Sequence, residues 1–314
     1  MTAATTFPDW LAAHHQPKTQ IAYTHAVAQF CAWFEAQAGE PADVASLTKL
    51  DVAHYRRDFQ AQGKAPSTVN KALAALRAWC TWAIEAGVRE DNPVLGMKRV
   101  GDTKKTIAPK GLKDGEAGRL LKHAQTSRHA ARDLTILTVL LQTGLRISEL
   151  VAVNWGDIIL GERSGTLTVR QGKGNKQRAV PLSQTARQAL WDWAVIAESL
   201  EISPTKRWSK AHADQLMTWI AAHPLQPLFS SQKGGRLKER TIQTMVQDAA
   251  QHAGLVDVTP HTLRHTCAFQ LLKAGATLVE VAQILGHTSI ATTQIYTGST
   301  AQHLQAAVDR IGWE

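Results

Sequence analysis

Apolar residues recur at helical spacing from Lys18 to Gly39, where Ile21, Ala22, Val27, Ala28, Phe30, Cys31, Phe34 and Ala38 follow Pro17 and precede Gly39. The pattern predicts a helix. Leu47 to Gln62, closed by Gly63, predicts a second, and Thr68 to Glu85, opened by Pro66-Ser67 and stopped by Gly87, a third. Gly115–Ala124 and Arg132–Gln142 again read as helices, the latter ending at Thr143-Gly144. The period then changes. Leu167-Thr168-Val169-Arg170 alternates, Gly172 to Asn175 supplies turn residues, and Arg178 to Leu182 returns, so residues 166–182 are expected to form a β-hairpin. Helical patterns resume at Gln184–Leu200, His212–Ala222, Thr241–Ala253, Leu263–Ala274, Val279–Leu285 and Thr300–Ile311.

At 314 residues the chain has room for two domains, and 44% hydrophobic with 19% charged residues is a globular composition. The boundary is expected in a stretch punctuated by Pro93, Gly96, Gly101, Pro109 and Gly111. There residues 98–113 carry Lys98, Arg99, Lys104, Lys105, Lys110 and Lys113 against Asp102 alone. Such a run is either a solvated linker or a segment that lies along phosphate. The expected division is 1–97 for a helical domain, 98–113 for a basic linker and 114–314 for a mixed domain. Thirty-five Lys and Arg against 26 Asp and Glu leave a formal charge of +9, which favours a polyanionic partner or simply aids solubility. The longest apolar runs, such as Leu137–Leu141, fall far short of a bilayer span, and no secretory pattern opens the chain, so a cytoplasmic protein without a membrane partner is expected. Cys31, Cys80 and Cys267 are too few and scattered for a disulfide framework or a thiolate zinc site and read as small core residues.

Four segments place cationic or nucleophilic groups at a turn or helix boundary. They are Thr143-Gly144-Leu145-Arg146, Gly172-Lys173-Gly174-Asn175-Lys176, His261-Thr262-Leu263-Arg264-His265, and Gly286-His287 with Tyr296. Singly, each is commonplace. His261 and His265 have the i, i+4 spacing of a zinc pair, but no glutamate stands between them, and no Ser or Thr follows Lys173 as a phosphate loop requires. No metal and no cofactor is expected.

Taken together and in this order, the four segments resemble the boxes of the tyrosine recombinase (phage integrase) family, most closely its Xer-type and transposon-type members. Thr143–Leu150 resembles the first arginine box, Gly172–Lys176 the lysine hairpin and His261–His265 the His-x-x-Arg box. Leu285-Gly286-His287-Thr288-Ser289 through Thr293 to Tyr296, nine residues beyond His287, resembles the last histidine and the nucleophile. The resemblance implies a mainly α fold with a small antiparallel β-sheet in the catalytic domain. It also implies a two-domain, C-shaped DNA clamp: a helical core-binding domain of SAM-like type and an α+β catalytic domain whose C-terminal helix, 299–314, docks on a neighbour. The implied site is Arg146, Lys173, His261, Arg264, His287 and Tyr296.

The chemistry suits those residue types. A phosphodiester attacked by an oxygen nucleophile gathers negative charge on its equatorial oxygens, and guanidiniums meet that charge with paired hydrogen bonds. By the resemblance Arg146 and Arg264 clamp the phosphate, and His287 adds a hydrogen bond. Tyr296, whose phenol ordinarily titrates near 10, is the nucleophile with His261 as proton acceptor, and Lys173 protonates the departing 5′ oxygen. A tyrosyl phosphodiester conserves the broken bond, so rejoining needs no ATP. Glu149 reads as a fold residue that orients the Arg146 turn, and His265 as a buried supporting residue.

Lys18, Arg56, Arg57, Lys71, Arg77, Lys104, Lys105, Lys176 and Arg240 are candidate DNA contacts. Trp33, Trp79 and Trp82 fall on apolar helix faces and read as core. The implied partners are duplex DNA with inverted-repeat half-sites, further copies of the chain in a tetramer on two sites, and an accessory or directionality protein, with the nucleoid as the place of action. Lys173 and His261 stand 88 positions apart, with the excess over a compact Xer-type chain falling near Ser199–His223, and no extra arm-binding domain is expected before the helical one. A type IB topoisomerase-like strand transferase and a catalytically silent DNA-binding accessory protein are the competing expectations.

Overall fold

In the computed structural model the described residues are 6–101, 111–170, 177–197, 208–231, 234–286 and Thr293. The chain separates into two compact units, Met1–Lys105 and Thr106–Glu314. The expected helix over 300–311 lies outside the described residues, as do Lys104, Lys105, Lys173, Lys176, His287 and Tyr296.

The first unit is helical: α1 (Phe7–His14), α2 (Pro17–Ala38), α3 (Lys49–Ala61) and α4 (Pro66–Glu85). Local chemistry sets the ends. Proline opens α2 and α4, the Thr48 hydroxyl and Asp51 carboxylate cap α3 reciprocally, and Gly39 ends α2 in the left-handed conformation. Helix α1 is short enough to escape a periodicity test; the Thr6 cap and three buried side chains, Phe7, Trp10 and Leu11, hold it. Phe30, Tyr55, Leu76, Trp79 and Cys80 form the centre of this core, while Trp33 and Trp82 pack against its edge. Trp79 is core, as its helix face indicates, and Trp33 and Trp82 are half-buried.

The second unit surrounds a small sheet. Helices α5 (Asp114–Ala124), α6 (Ala130–Thr143) and α7 (Ile147–Ala152) precede it, β1 (Ile158–Leu160), β2 (Gly165–Val169) and β3 (Arg178–Pro181) form it, and α8 (Gln184–Ala197) to α12 follow. The strands run antiparallel in the order β1-β2-β3, with Leu167 opposite both Ile158 and Val180. The hairpin expected over 166–182 is therefore present with a third strand added at its edge. Alternation sends Leu167, Val169 and Val180 inward to the main core. Helices α9 (Lys210–Ala222), α10 (Glu239–His252), α11 (Pro260–Lys273) and α12 (Leu278–Leu285) complete the unit.

Helix α9 gives the long interval before His261 a structural use. It packs on β1, its Leu216 and Ile220 are buried, and Trp219 meets Trp155 edge-on at 5.5 Å. Trp208, just before it, is buried and donates its indole N–H to the Gly161 and Glu162 carbonyls. The segment covers a sheet edge that would otherwise face water. Among the described residues no helix is long and apolar enough to cross a membrane.

Candidate active site

The end of α6 builds the first part of the site. Gly144 stops the helix at φ +61°, its N–H donating to the Leu140 carbonyl, and Leu145 plugs the core at zero exposure. The chain then turns so that Arg146 stands at the N-cap of α7. Glu149, three residues on, accepts the Arg146 amide at 2.9 Å and its Nη1 at 2.7 Å. Glu149 thus orients the arginine turn, as its position in the sequence suggests.

Helix α11 supplies the second part. Thr259 caps it by accepting the Thr262 N–H, Pro260 occupies its first turn, and Leu263, Arg264, Cys267 and Ala268 face inward. Arg264 is 4% exposed, and its Nη1 and Nη2 each donate a 2.6 Å hydrogen bond, to the Gly144 and Leu285 carbonyls respectively. Gly144 ends α6 and Leu285 is the last residue of α12. The buried guanidinium therefore sits where two helices direct carbonyls that have no intrahelical donor, the end of the helix dipole that favours a cation.

Arg146, His261 and Arg264 line one groove of about 530 Å³, with Ser148 and Thr259 and with Glu239, Gln243 and Gln247 from a single face of α10. His261 is exposed at the groove mouth. Partial desolvation against the groove wall, followed by the charges of Arg264 and Arg146, holds its imidazole below the ordinary histidine value. His265, one turn further, is half-buried, and desolvation, then His261 and Arg264, lower it as well. Two guanidiniums beside an imidazole that stays neutral at physiological pH can hold an anion and still accept a proton.

Sequence reasoning missed two contributors. The α10 polar face is one, visible beforehand only as Glu239, Gln243 and Gln247 at intervals of four. The other is Arg178 on β3, which binds both Glu149 carboxylate oxygens, at 3.0 and 2.8 Å, and donates Nε to the Ile284 carbonyl at 3.0 Å. Burial pushes the Glu149 carboxyl up, but the hydrogen bonds from Arg178 and the Arg146 amide, with the charges of both guanidiniums, outweigh it. The carboxyl is held below the usual carboxylate range.

The candidate DNA contacts fall into two groups. Lys18, Arg57, Lys71 and Arg77 in the first unit and Arg240 in the second are exposed. Arg56 is half-buried and donates to the Lys98 carbonyl at 3.3 Å, and Arg77 donates to the Val94 carbonyl at 3.4 Å, so both also tie down the segment after α4. Arg240 lines a separate hollow of about 470 Å³ with His123, Arg132 and Asp248. Among the described residues no group of three or more His, Cys, Asp or Glu gathers as metal ligands.

Comparison with known proteins adds to this geometry. Residues 110–303 match the phage integrase family, and residues 9–89 match the phage integrase N-terminal SAM-like domain. The chain belongs to the phage integrase family. It is a tyrosine recombinase of Xer type, an enzyme that transfers DNA strands. It is 34% identical over 251 residues to the tyrosine recombinase XerC of Thermodesulfovibrio yellowstonii, spanning 79% of this chain and 77% of that protein. Against the tyrosine recombinase XerC of Xanthomonas campestris pv. campestris it is 31% identical over 307 residues, 95% of this chain and 85% of that one. Two solved structures share the fold. One is the XerH site-specific recombinase bound to palindromic difH substrate in a post-cleavage complex, with a TM-score of 0.70, 21% identity, and 93% of this chain and 79% of that one covered. The other is the Tn1549 transposon integrase in complex with transposon right end DNA, with a TM-score of 0.72, 19% identity, and 99% of each chain covered.

Proposed function

We propose that this recombinase cleaves and rejoins duplex DNA at inverted-repeat half-sites through a 3′-phosphotyrosine intermediate, and that paired exchanges pass through a Holliday junction. The groove that gathers Arg146, Arg264 and a neutral His261 is the observation that carries the reading. Arg146 meets the equatorial phosphate oxygens, and the buried Arg264 charge adds its field from the groove floor. His261 takes the Tyr296 proton, and the phenolate oxygen forms a bond to phosphorus. The bond from phosphorus to the 5′ oxygen breaks, Lys173 protonates that oxygen, and His287 supports the phosphate by a hydrogen bond. The tyrosyl ester keeps the phosphodiester's energy. A 5′ hydroxyl from a second duplex reverses the step, with the proton returning to tyrosine.

The two units are expected to clamp one duplex, with Lys18, Arg57 and Lys71 among the phosphate contacts. Four copies join two sites, assisted by an accessory or directionality protein, in the cytoplasm at the nucleoid. The test is a duplex nicked beside the scissile phosphate, so that the cleaved end diffuses away and the intermediate accumulates. Wild-type protein should form a covalent adduct that Tyr296→Phe abolishes while still binding the duplex. An adduct that persists in Tyr296→Phe and maps to another side chain would overturn the assignment. With intact sites, accumulation of Holliday junctions marks recombination, and relaxation of single duplexes without junctions marks a topoisomerase.

A further inference from the structure

Arg178 lies on β3, five residues after Lys173, and has no place in the set of residues above. Its side chain is 12% exposed, and Glu149, which it grips with two hydrogen bonds, is 4% exposed. Glu149 in turn holds Arg146, whose own side chain is 23% exposed toward the groove. One buried carboxylate is thus shared between a guanidinium that faces the groove and another that stands behind it. The third attachment is at α12. Arg178 Nε bonds the Ile284 carbonyl, and its guanidinium lies so close over Gly286 that a Cβ there would fall 2.7 Å from Nη1. Gly286 also has φ +68°, so the position requires glycine twice over. Arg146 Nη2 approaches the carbonyl of the same Gly286, at 3.5 Å.

The charge arithmetic gives this arrangement a purpose. Arg146, Glu149 and Arg178 sum to one positive charge, which is left to the groove. Without Arg178, the Glu149 carboxylate cancels Arg146 at the place where a phosphate must be met. Lysine could restore the charge, but a point charge cannot hold both carboxylate oxygens and a carbonyl in one plane.

We propose that Arg178 is a positioning residue for strand transfer, neutralising Glu149 so that Arg146 keeps its charge for the phosphate, and tying β3 to the Arg146 and Gly286 turns. The proposal rests on the reading of Arg146 as a phosphate ligand. Full-length protein is used, with R178Q, R178K and R178Q/E149Q compared by single-turnover cleavage of the nicked duplex at saturating enzyme. Duplex affinity and a thermal melt are recorded for each variant.

R178Q should cleave about 100-fold more slowly than wild type with affinity little changed. Adding E149Q removes the unbalanced carboxylate and keeps a residue that can still cap α7, so the double variant should recover about tenfold. The gap between R178Q and R178Q/E149Q should close as pH falls, because Glu149, buried and without Arg178, protonates more readily. R178K, which keeps the charge but not the paired hydrogen bonds, is the second arm should R178Q fail to fold: it should stay within about tenfold of wild type, and a loss of about 100-fold would overturn the proposal. A purely structural role predicts no rescue by E149Q and an R178Q deficit independent of pH, and either result overturns the proposal. Wild-type adduct formation is the control. Its absence would strike the assigned chemistry, whereas an intact wild-type adduct with no rescue strikes Arg178 alone.

Discussion

Gly144→Ala tests how the site is assembled, because this glycine answers two demands at once. Its φ of +61° lies in the left-handed region, where a side chain costs about 1 kcal/mol. A Cβ at this position would also press into the Leu285 side chain and stand 3.2 Å from Cys267 Sγ, wedging α6 away from α12 and α11. Overpacking of that kind costs roughly 1–3 kcal/mol more, for a total of about 2–4 kcal/mol. Gly254 is the control: its φ is +67°, yet nothing lies within 4 Å of a Cβ there, so Gly254→Ala isolates the backbone cost at about 1 kcal/mol. In a unit of this size Gly144→Ala should lower the melting temperature by roughly 5–15 °C, against about 2–4 °C for Gly254→Ala. The Gly144 carbonyl also holds Arg264. Cleavage of the nicked duplex by Gly144→Ala should therefore fall even at temperatures where the variant is folded, while Gly254→Ala cleaves normally. The measurements are calorimetry and single-turnover cleavage on both variants. Equal destabilisation of the two variants, or normal cleavage by folded Gly144→Ala, would refute the close-packing argument.

Three further outcomes are expected. Because His261 is held below the ordinary histidine value, its neutral form persists through neutral pH. The acid limb of cleavage at subsaturating enzyme should then be centred below the ordinary histidine value of about 6.5. The same shift means that the unfolded chain takes up the proton more readily, so this histidine's effect on stability turns unfavourable as pH drops through that region; an acid limb centred above about pH 7 would contradict the assignment. Guanidiniums supply the charge at the groove, so adduct formation should survive excess EDTA without ATP, and strict dependence on added magnesium would contradict it. The family resemblance implies that 299–314, with Leu304, Ala307, Val308 and Ile311 at helical spacing, docks on a neighbour, so truncation after Gly298, or Leu304→Asp, should leave half-site binding intact and abolish the synaptic tetramer in gel shift and light scattering. Synapsis at the full-length level by the truncated chain would remove the assembly role proposed for 299–314.

Local sequence determined most of the elements. Where apolar residues recur with a period near 3.6 and the ends carry a proline, a threonine with its partner three residues on, or a glycine, as in α2, α3, α4 and α12, the helix forms within two or three residues of the expected span. The turn from α6 into Arg146 and the pairing of β2 with β3 were legible for the same reason: glycine positions and alternation are local facts. Elements too short for a period were not legible. Helices α1 and α7 and strand β1 have eight, six and three residues, and burial against neighbours holds them where propensity would not. The order of the four boxes announced the chemistry, but only folding could show how charge is balanced around it. Arg178 and Glu149 are 29 residues apart, and Arg264 reaches a carbonyl 120 residues away. No sequence period links such positions. Burial made those contacts necessary, because a guanidinium or carboxylate withdrawn from water must find its hydrogen bonds inside the protein, and only the packed helices and sheet decide which groups stand within reach.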